Sequence, residues 1–445
     1  MKGSIQIVHA IDAEGPLYQS LSFIFKRLRE MYGVELPPSR ENLKMLQVGA
    51  FDFGVKNELI RETLSERQIS TLGDWKQVDA MLQKVTSLES RISNPDSFGN
   101  GWVFNWFCLD HVGFEDYPAR HDIGFHNIYD RYSALIKSQP YSNDTLQWQF
   151  RPISKFREER RHATHYFRSD DVFQILARKI LDRGFFPACF QAGFQSERPD
   201  SNWLLEQYIP FDISNMFIND TANIYNSIDF HNGRSDHWRQ VPVDWSVYHP
   251  SHDDDQISGD CRRLKGRALS LGNQIGSVTH EDVNIAFERA AKGEKVLMGL
   301  CSHDWRDLEP GLQDFHIILN NSKELFTDVP VQYCRAEEAF QSHVPDLYQS
   351  EFPIELSVSL IPSDGIDAPF IKVETVKGKV FGPQPFLAIK TKNGRYIHDN
   401  FDFHTEHGTW FYPFYSSTLL IDEIEKIGVA ANDFMGRTSI KILDL

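Results

Sequence analysis

Ser4-Ile5-Gln6-Ile7-Val8-His9-Ala10 is a short run rich in β-branched residues, and Ile11 leads it into Asp12-Ala13-Glu14-Gly15-Pro16. A brief apolar run closed by turn residues is the pattern of a parallel strand buried on both faces. Parallel strands need long crossovers, and the flanking sequence supplies them. Residues 17–32 carry Leu21, Phe25 and Leu28 at helical spacing. Residues 37–94 read as a mostly helical, polar insertion, clearest over 75–92, where Val78, Leu82, Val85 and Leu88 share a face.

A second buried strand is expected over 102–109, ending at Asp110-His111, with a helix from about Asn127. Further strands are expected at 185–191, 209–213, 296–301 and 329–334, separated by helices at 170–183, 281–292 and 312–325. Strand alternating with helix at this spacing predicts an α/β architecture with a parallel sheet or barrel over 1–345. From Glu351 the period changes to two, as in Ile354-Glu355-Leu356-Ser357-Val358 and Phe370-Ile371-Lys372-Val373-Glu374. Gly-containing turns such as Lys392-Asn393-Gly394 divide the rest. An antiparallel, sandwich-like β domain is expected over 350–445.

Composition excludes several partners. The 445 residues carry 62 acids against 46 Lys and Arg, a formal charge of −16, so no bulk positive field exists to grip nucleic acid phosphates. The same balance argues against a polybasic membrane anchor, and no apolar run is long enough for a bilayer span. The start of the chain lacks the apolar stretch of a secretory signal. Five cysteines without a C-x-x-C pair suit free thiols in a reducing compartment. A cytoplasmic protein is expected.

Function in α/β folds collects at the carboxyl ends of the strands. After the first strand stand Asp12 and Glu14, whose i, i+2 spacing in extended chain points both carboxylates one way. They can serve as base and metal ligand, or cap the following helix. After the second comes Asp122-Ile123-Gly124-Phe125-His126, with Asp130 four residues on. His126 and Asp130 share a helix face and could ligate zinc, or be a surface pair. After the strand at 296–301 comes Ser302-His303-Asp304-Trp305, where His303 is a candidate general acid or a core histidine. Trp245, Tyr248 and His249 stand in an aromatic, acid-rich stretch that could stack on sugar rings or belong to the core.

These stations in this order resemble the polysaccharide deacetylase family (carbohydrate esterase family 4). That family has an acidic motif after its first strand, a Glu-Ile-Gly-x-His-x-x-x-His motif after the second, and a late His. Asp12-Ala13-Glu14, Asp122 to His126 with Asp130, and His303 are the counterparts, and Arg168 is the counterpart of the Arg that opens its middle motif. The resemblance implies a distorted (β/α)7 barrel and metal-dependent removal of N-acetyl groups from sugars. Asp12 then corresponds to the catalytic base and His303 to the acid that protonates the leaving amine. Glu14, His126 and Asp130 correspond to metal ligands, and Arg168 to a substrate contact. Asp130 replaces the usual second His, so the donor set is harder than usual and suits zinc or another divalent metal. The substrate implied is an amino-sugar or glycan precursor, as in lipopolysaccharide O-antigen assembly. A glycoside hydrolase on a related barrel, or a sugar-binding scaffold, would be built from the same elements.

Overall fold

The computed structural model describes residues 3–65, 69–110, 126–150, 171–193, 199–215, 240–272 and 277–445. Seven parallel strands close a barrel: β1 (Ser4–Ala13), β2 (Phe104–Asp110), β3 (Thr145–Phe150), β4 (Cys189–Ala192), β5 (Phe211–Asn215), β6 (Leu264–Ser270) and β7 (Lys295–His303). β7 pairs with β1, and β1 with β2, which completes the ring. β8 (Val331–Tyr333) adds to the lower half of β1, at Ile5 to Ile7.

The ladder fixes the tilt of the strands. Extended at constant register from Asp12 through Phe107, Gln147, Cys189, Phe211, Leu264 and Lys295, it comes back to β1 at Ser4, eight positions below its start. A residue at a constant height therefore lies about one position further along on each successive strand.

Side chains alternate in and out. Val8, Ala10, Phe107, Cys189, Phe211, Leu264, Ala268, Leu297 and Cys301 fill the interior. The helix Ala336–Gln341 closes the amino-terminal mouth: Ala336, Ala339 and Phe340 join the same cluster, and Phe340 stacks on Phe211 at 5.0 Å. Outward residues such as Ile7, Ile11, Trp106, Met298 and Leu300 pack against surrounding helices. His9 is one of them. Its Nδ1 accepts from the Trp102 indole N–H at 3.0 Å and its Nε2 lies 2.9 Å from Ser302 Oγ, so it is a satisfied core histidine.

β3 and β6 are the two barrel strands that hydrophobic patterning does not announce. β3 alternates Trp148 and Phe150 with Gln147 and Gln149. β6 carries Lys265 and Arg267, which look like surface residues. Both are buried between strand and covering layer, and each has an acid. Arg267 Nη2 lies 3.0 Å from Asp282 Oδ1, and Lys265 pairs with Asp255. Neighbouring Arg263 meets Asp212 at 2.7 Å. Buried charge is tolerated when it is paired and hydrogen-bonded.

Local signals set the helix ends. Thr279 caps the helix His280–Ala291 in a reciprocal box with Asp282. Thr279→Ala is expected to cost about 1 kcal/mol of unfolding free energy in urea titration. The expected helix over 75–92 is two, Trp75–Val85 and Leu88–Ile92, because Ser87 caps a new start.

Beyond residue 350 the chain forms two four-stranded antiparallel sheets. One contains β9 (Glu355–Ile361), β10 (Phe370–Lys377), β13 (Asp402–Phe403) and β14 (Thr409–Pro413). The other contains β11 (Phe386–Thr391), β12 (Tyr396–Asp399), β15 (Ile424–Asn432) and β16 (Thr438–Asp444). They share one core, with Leu356, Ile371, Val373 and Trp410 from the first against Leu387, Ile389, Ile427 and Val429 from the second. The outer face of the second sheet docks on the barrel. Phe386, Ala388 and Ala430 pack with Ile180, Leu181 and Tyr208. Asn432 donates to the carbonyls of Pro187 and Tyr208 at 2.8 and 3.0 Å. At Gly382 a Cβ would stand 1.7 Å from the Gln207 carbonyl oxygen, so only glycine permits this approach. Among the described residues no helix is long and apolar enough to cross a membrane.

Candidate functional site

The ends of β1 and β7 bring Asp12 and His303 together. Both share the phase of the inward residues on their strands, so both point into the carboxyl-terminal mouth of the barrel. The ladder pairs them directly, and His303 Nε2 lies 3.3 Å from Asp12 Oδ2. Glu14 joins them: Asp12, Glu14 and His303 each offer a ligand atom within 4.8 Å of the others. The two acids are buried and His303 is half-buried.

A second layer positions these groups. The Trp305 indole N–H donates to Glu14 Oε2 at 3.2 Å. The Asp304 carboxylate accepts from the backbone N–H of Glu14 at 3.0 Å and of Gly15 at 2.8 Å, and from the Tyr132 hydroxyl at 2.6 Å. Its own N–H donates to the Asp12 carbonyl at 3.1 Å. Asp304 thus ties the last turn of β1 to the end of β7. Burial pushes its pKa up to about 6, against the three hydrogen bonds that favour the charged form. Gly15 makes this turn possible: its φ is +75°, and a Cβ there would stand 2.8 Å from the Trp75 ring. Asp304→Asn replaces an acceptor with an NH2 group facing those donors. We expect about 10–100-fold weaker binding of zinc to the site, read by calorimetry against the unaltered chain.

The other sequence-nominated residues lie elsewhere. His126 precedes the helix Asn127–Ser138, and its Nε2 lies 3.0 Å from Asp182 Oδ2, whose other oxygen accepts from the Tyr396 hydroxyl at 2.8 Å. Burial lowers the His126 pKa. Asp130 is gripped by Arg183 through two bonds of 2.6 and 2.8 Å, and this hydrogen bonding holds its carboxyl below the usual range. The i, i+4 spacing does set His126 and Asp130 side by side, but they face the end of the helix Asp171–Arg183. The donor cluster among the described residues is completed by His303.

Trp245 and Tyr248 are core residues, which corrects the expectation of exposed stacking faces. Trp245 donates to the Asp282 carbonyl at 2.7 Å and lies under the Arg267 guanidinium at 4.7 Å. The Tyr248 hydroxyl donates to the Asp255 carbonyl at 2.8 Å. His249 Nδ1 lies 3.1 Å from the Arg263 carbonyl oxygen. Arg168 and the Asp122–Phe125 portion of the second motif lie outside the described residues.

Sequence reading missed Asp304, Trp305 and Tyr132 as positioning groups. The first two directly follow His303, which was a usable signal. Tyr132 carries none, because its place beside Asp304 depends on helix packing. All five cysteines are buried, and burial pushes the Cys301 thiol up to about 12, so it offers no thiolate nucleophile near neutral pH. No protein-family model, curated protein or solved structure matches this chain.

Proposed function

We propose that this chain is a divalent-cation-dependent hydrolase that removes an N-acyl group from an amino sugar, working at the carboxyl-terminal mouth of a deacetylase-type barrel. The observation that carries the reading is the convergence of Asp12, Glu14 and His303 from positions nearly 300 residues apart. Carboxylates are donors that suit zinc or a harder divalent ion, and the imidazole beside them can carry a proton. Glu14 supplies the carboxylate that would hold it, which leaves Asp12 for the proton. When bound, such an ion lowers the pKa of water and polarises an amide carbonyl.

The chain's own groups supply proton transfer. Asp12 Oδ2 accepts the proton of the attacking water, and His303, in contact with it at 3.3 Å, delivers a proton to the departing amine nitrogen. A carbon–oxygen bond forms, the carbon–nitrogen bond breaks, and carboxylate and free amine leave. Asp304 and Trp305 keep Glu14 and the turn after Asp12 in place. A nucleotide- or lipid-linked amino sugar is the substrate form we favour, as in bacterial lipopolysaccharide or other glycan assembly.

The test incubates purified protein with N-acetyl amino sugars and their nucleotide-linked forms, with added zinc, manganese or chelator. Acetate release that needs the metal supports the reading. A new reducing end without acetate identifies a glycoside hydrolase instead. No turnover and no affinity for zinc identify a scaffold.

A further inference from the structure

On β3, Trp148 and Phe150 face outward into the helix-packed cluster, so Gln147 and Gln149 face the barrel interior. Gln147 is fully engaged: its Oε1 accepts from the Cys189 N–H at 2.9 Å and its Nε2 donates to Glu337 at 2.8 Å. Gln149 is 0% exposed, yet among the described residues neither its amide oxygen nor its amide nitrogen has a hydrogen-bond partner. Directly across the ladder stands Gln191 of β4, 1% exposed, with its own amide oxygen unpartnered. Leaving such groups unpaired destabilises a fold unless something else meets them.

Their height explains what that is. The eight-residue offset around the barrel raises the level of Asp12 by about one residue per strand. Two strands on, that level is Gln149, and on the next strand it is close to Gln191. From the other side the ladder pairs Asp12 with His303. The two glutamines and the Asp12–His303 pair belong to one interior layer.

We propose that Gln149 and Gln191 are substrate-binding residues of the barrel mouth that grip a vicinal hydroxyl pair of a neutral sugar ring. A carboxamide accepts through oxygen and donates through nitrogen side by side, and adjacent hydroxyls offer the complementary donor and acceptor. Neither amide carries charge, so the pair selects a neutral polyol face and not a phosphate. The choice of a sugar rests on the amino-sugar reading above. The assignment of the glutamines as a ligand-facing pair rests on burial, lack of partners and register.

Two measurements on the full chain test this. Gln149→Met and Gln191→Met keep side-chain length and remove the amide. Without ligand, each variant is expected to melt higher, by roughly 1–3 °C, because an unmet buried polar group is gone. A lower melting temperature in both would show that the amides already hold the fold together, and would overturn the proposal. N-acetylglucosamine is then titrated by calorimetry into the wild type and both variants. Binding weakened about tenfold or more by either substitution supports the proposal. Equal affinity in all three proteins overturns it and leaves the amino-sugar reading standing. Higher melting in the variants with no binding to the wild type keeps the glutamine pair and removes the amino-sugar reading.

Discussion

Asp12→Asn is expected to lower kcat for deacylation by about 10²–10⁴-fold, the usual scale for loss of a positioned proton acceptor. The amide keeps the shape of the carboxylate but cannot take a proton from water. The substitution leaves the backbone bond from the Asp304 N–H to the Asp12 carbonyl untouched, so the turn and the fold persist. A melting temperature within a degree or two of wild type accompanies the lost activity. Wild-type turnover in Asp12→Asn removes Asp12 from the proton path. His303→Gln is expected to lose rate as well, with the deficit smaller for a substrate whose leaving amine is already easily expelled. That dependence on the leaving group separates an acid from a structural histidine.

The second large effect is acid lability. Burial holds His9 neutral down to about pH 3 and His316, His343 and His398 down to about pH 4. In the unfolded chain each takes a proton near pH 6.5. Their contribution is therefore present above pH 6.5 and is lost as the pH falls toward 4. Two acids act in the opposite sense. Burial raises Asp110 to about 7 and Asp304 to about 6, so the folded chain holds protons there that the unfolded chain has released. Between pH 6 and 4 the unfolded state binds four extra protons on the histidines and the folded state two on the acids. The histidines win by two protons, and stability falls by roughly 2.7 kcal/mol per pH unit. Over two units this approaches the whole stability of an ordinary domain.

Urea titrations at pH 7, 6, 5 and 4.5 measure the slope. A stability that holds level or rises on acidification sinks the prediction. His398 gives a control. It lies 4.0 Å from Phe386 and 4.7 Å from Phe173, stacked on both, so His398→Phe keeps the aromatic contacts and removes one titrating group. That variant is expected to lose about half of the slope.

The difference between what could and could not be read from sequence follows from which interactions are local. β1, β2 and β7 bury apolar side chains on both faces, and their continuous runs are legible. β3 and β6 escape because their buried polar residues have distant partners. Lys265 reads as a surface cation until Asp255 is folded against it. The amide of Gln149 reads as solvent-facing until Trp148 and Phe150 are seen to occupy the outer side. The same limit applies to the site. Spacing at i, i+4 correctly set His126 beside Asp130, but it could not tell which neighbouring helix they would meet. Asp182 and Arg183 claimed them. Trp245 was ambiguous between core and surface, and the carbonyl of Asp282 decided it.

By itself, the sequence determined the alternation of strand and helix, the change to period-two patterning near residue 350, and the placing of Asp12, Glu14 and His303 at the carboxyl ends of strands. Those properties depend on a few neighbouring residues and on the burial of apolar surface. Only the tertiary structure decided that the sheet closes, that an eight-residue stagger puts Gln149 and Gln191 level with Asp12, and that His303 completes the acid pair. Closure and stagger arise from hydrogen-bond registers between strands far apart in the chain, and no local pattern encodes a register.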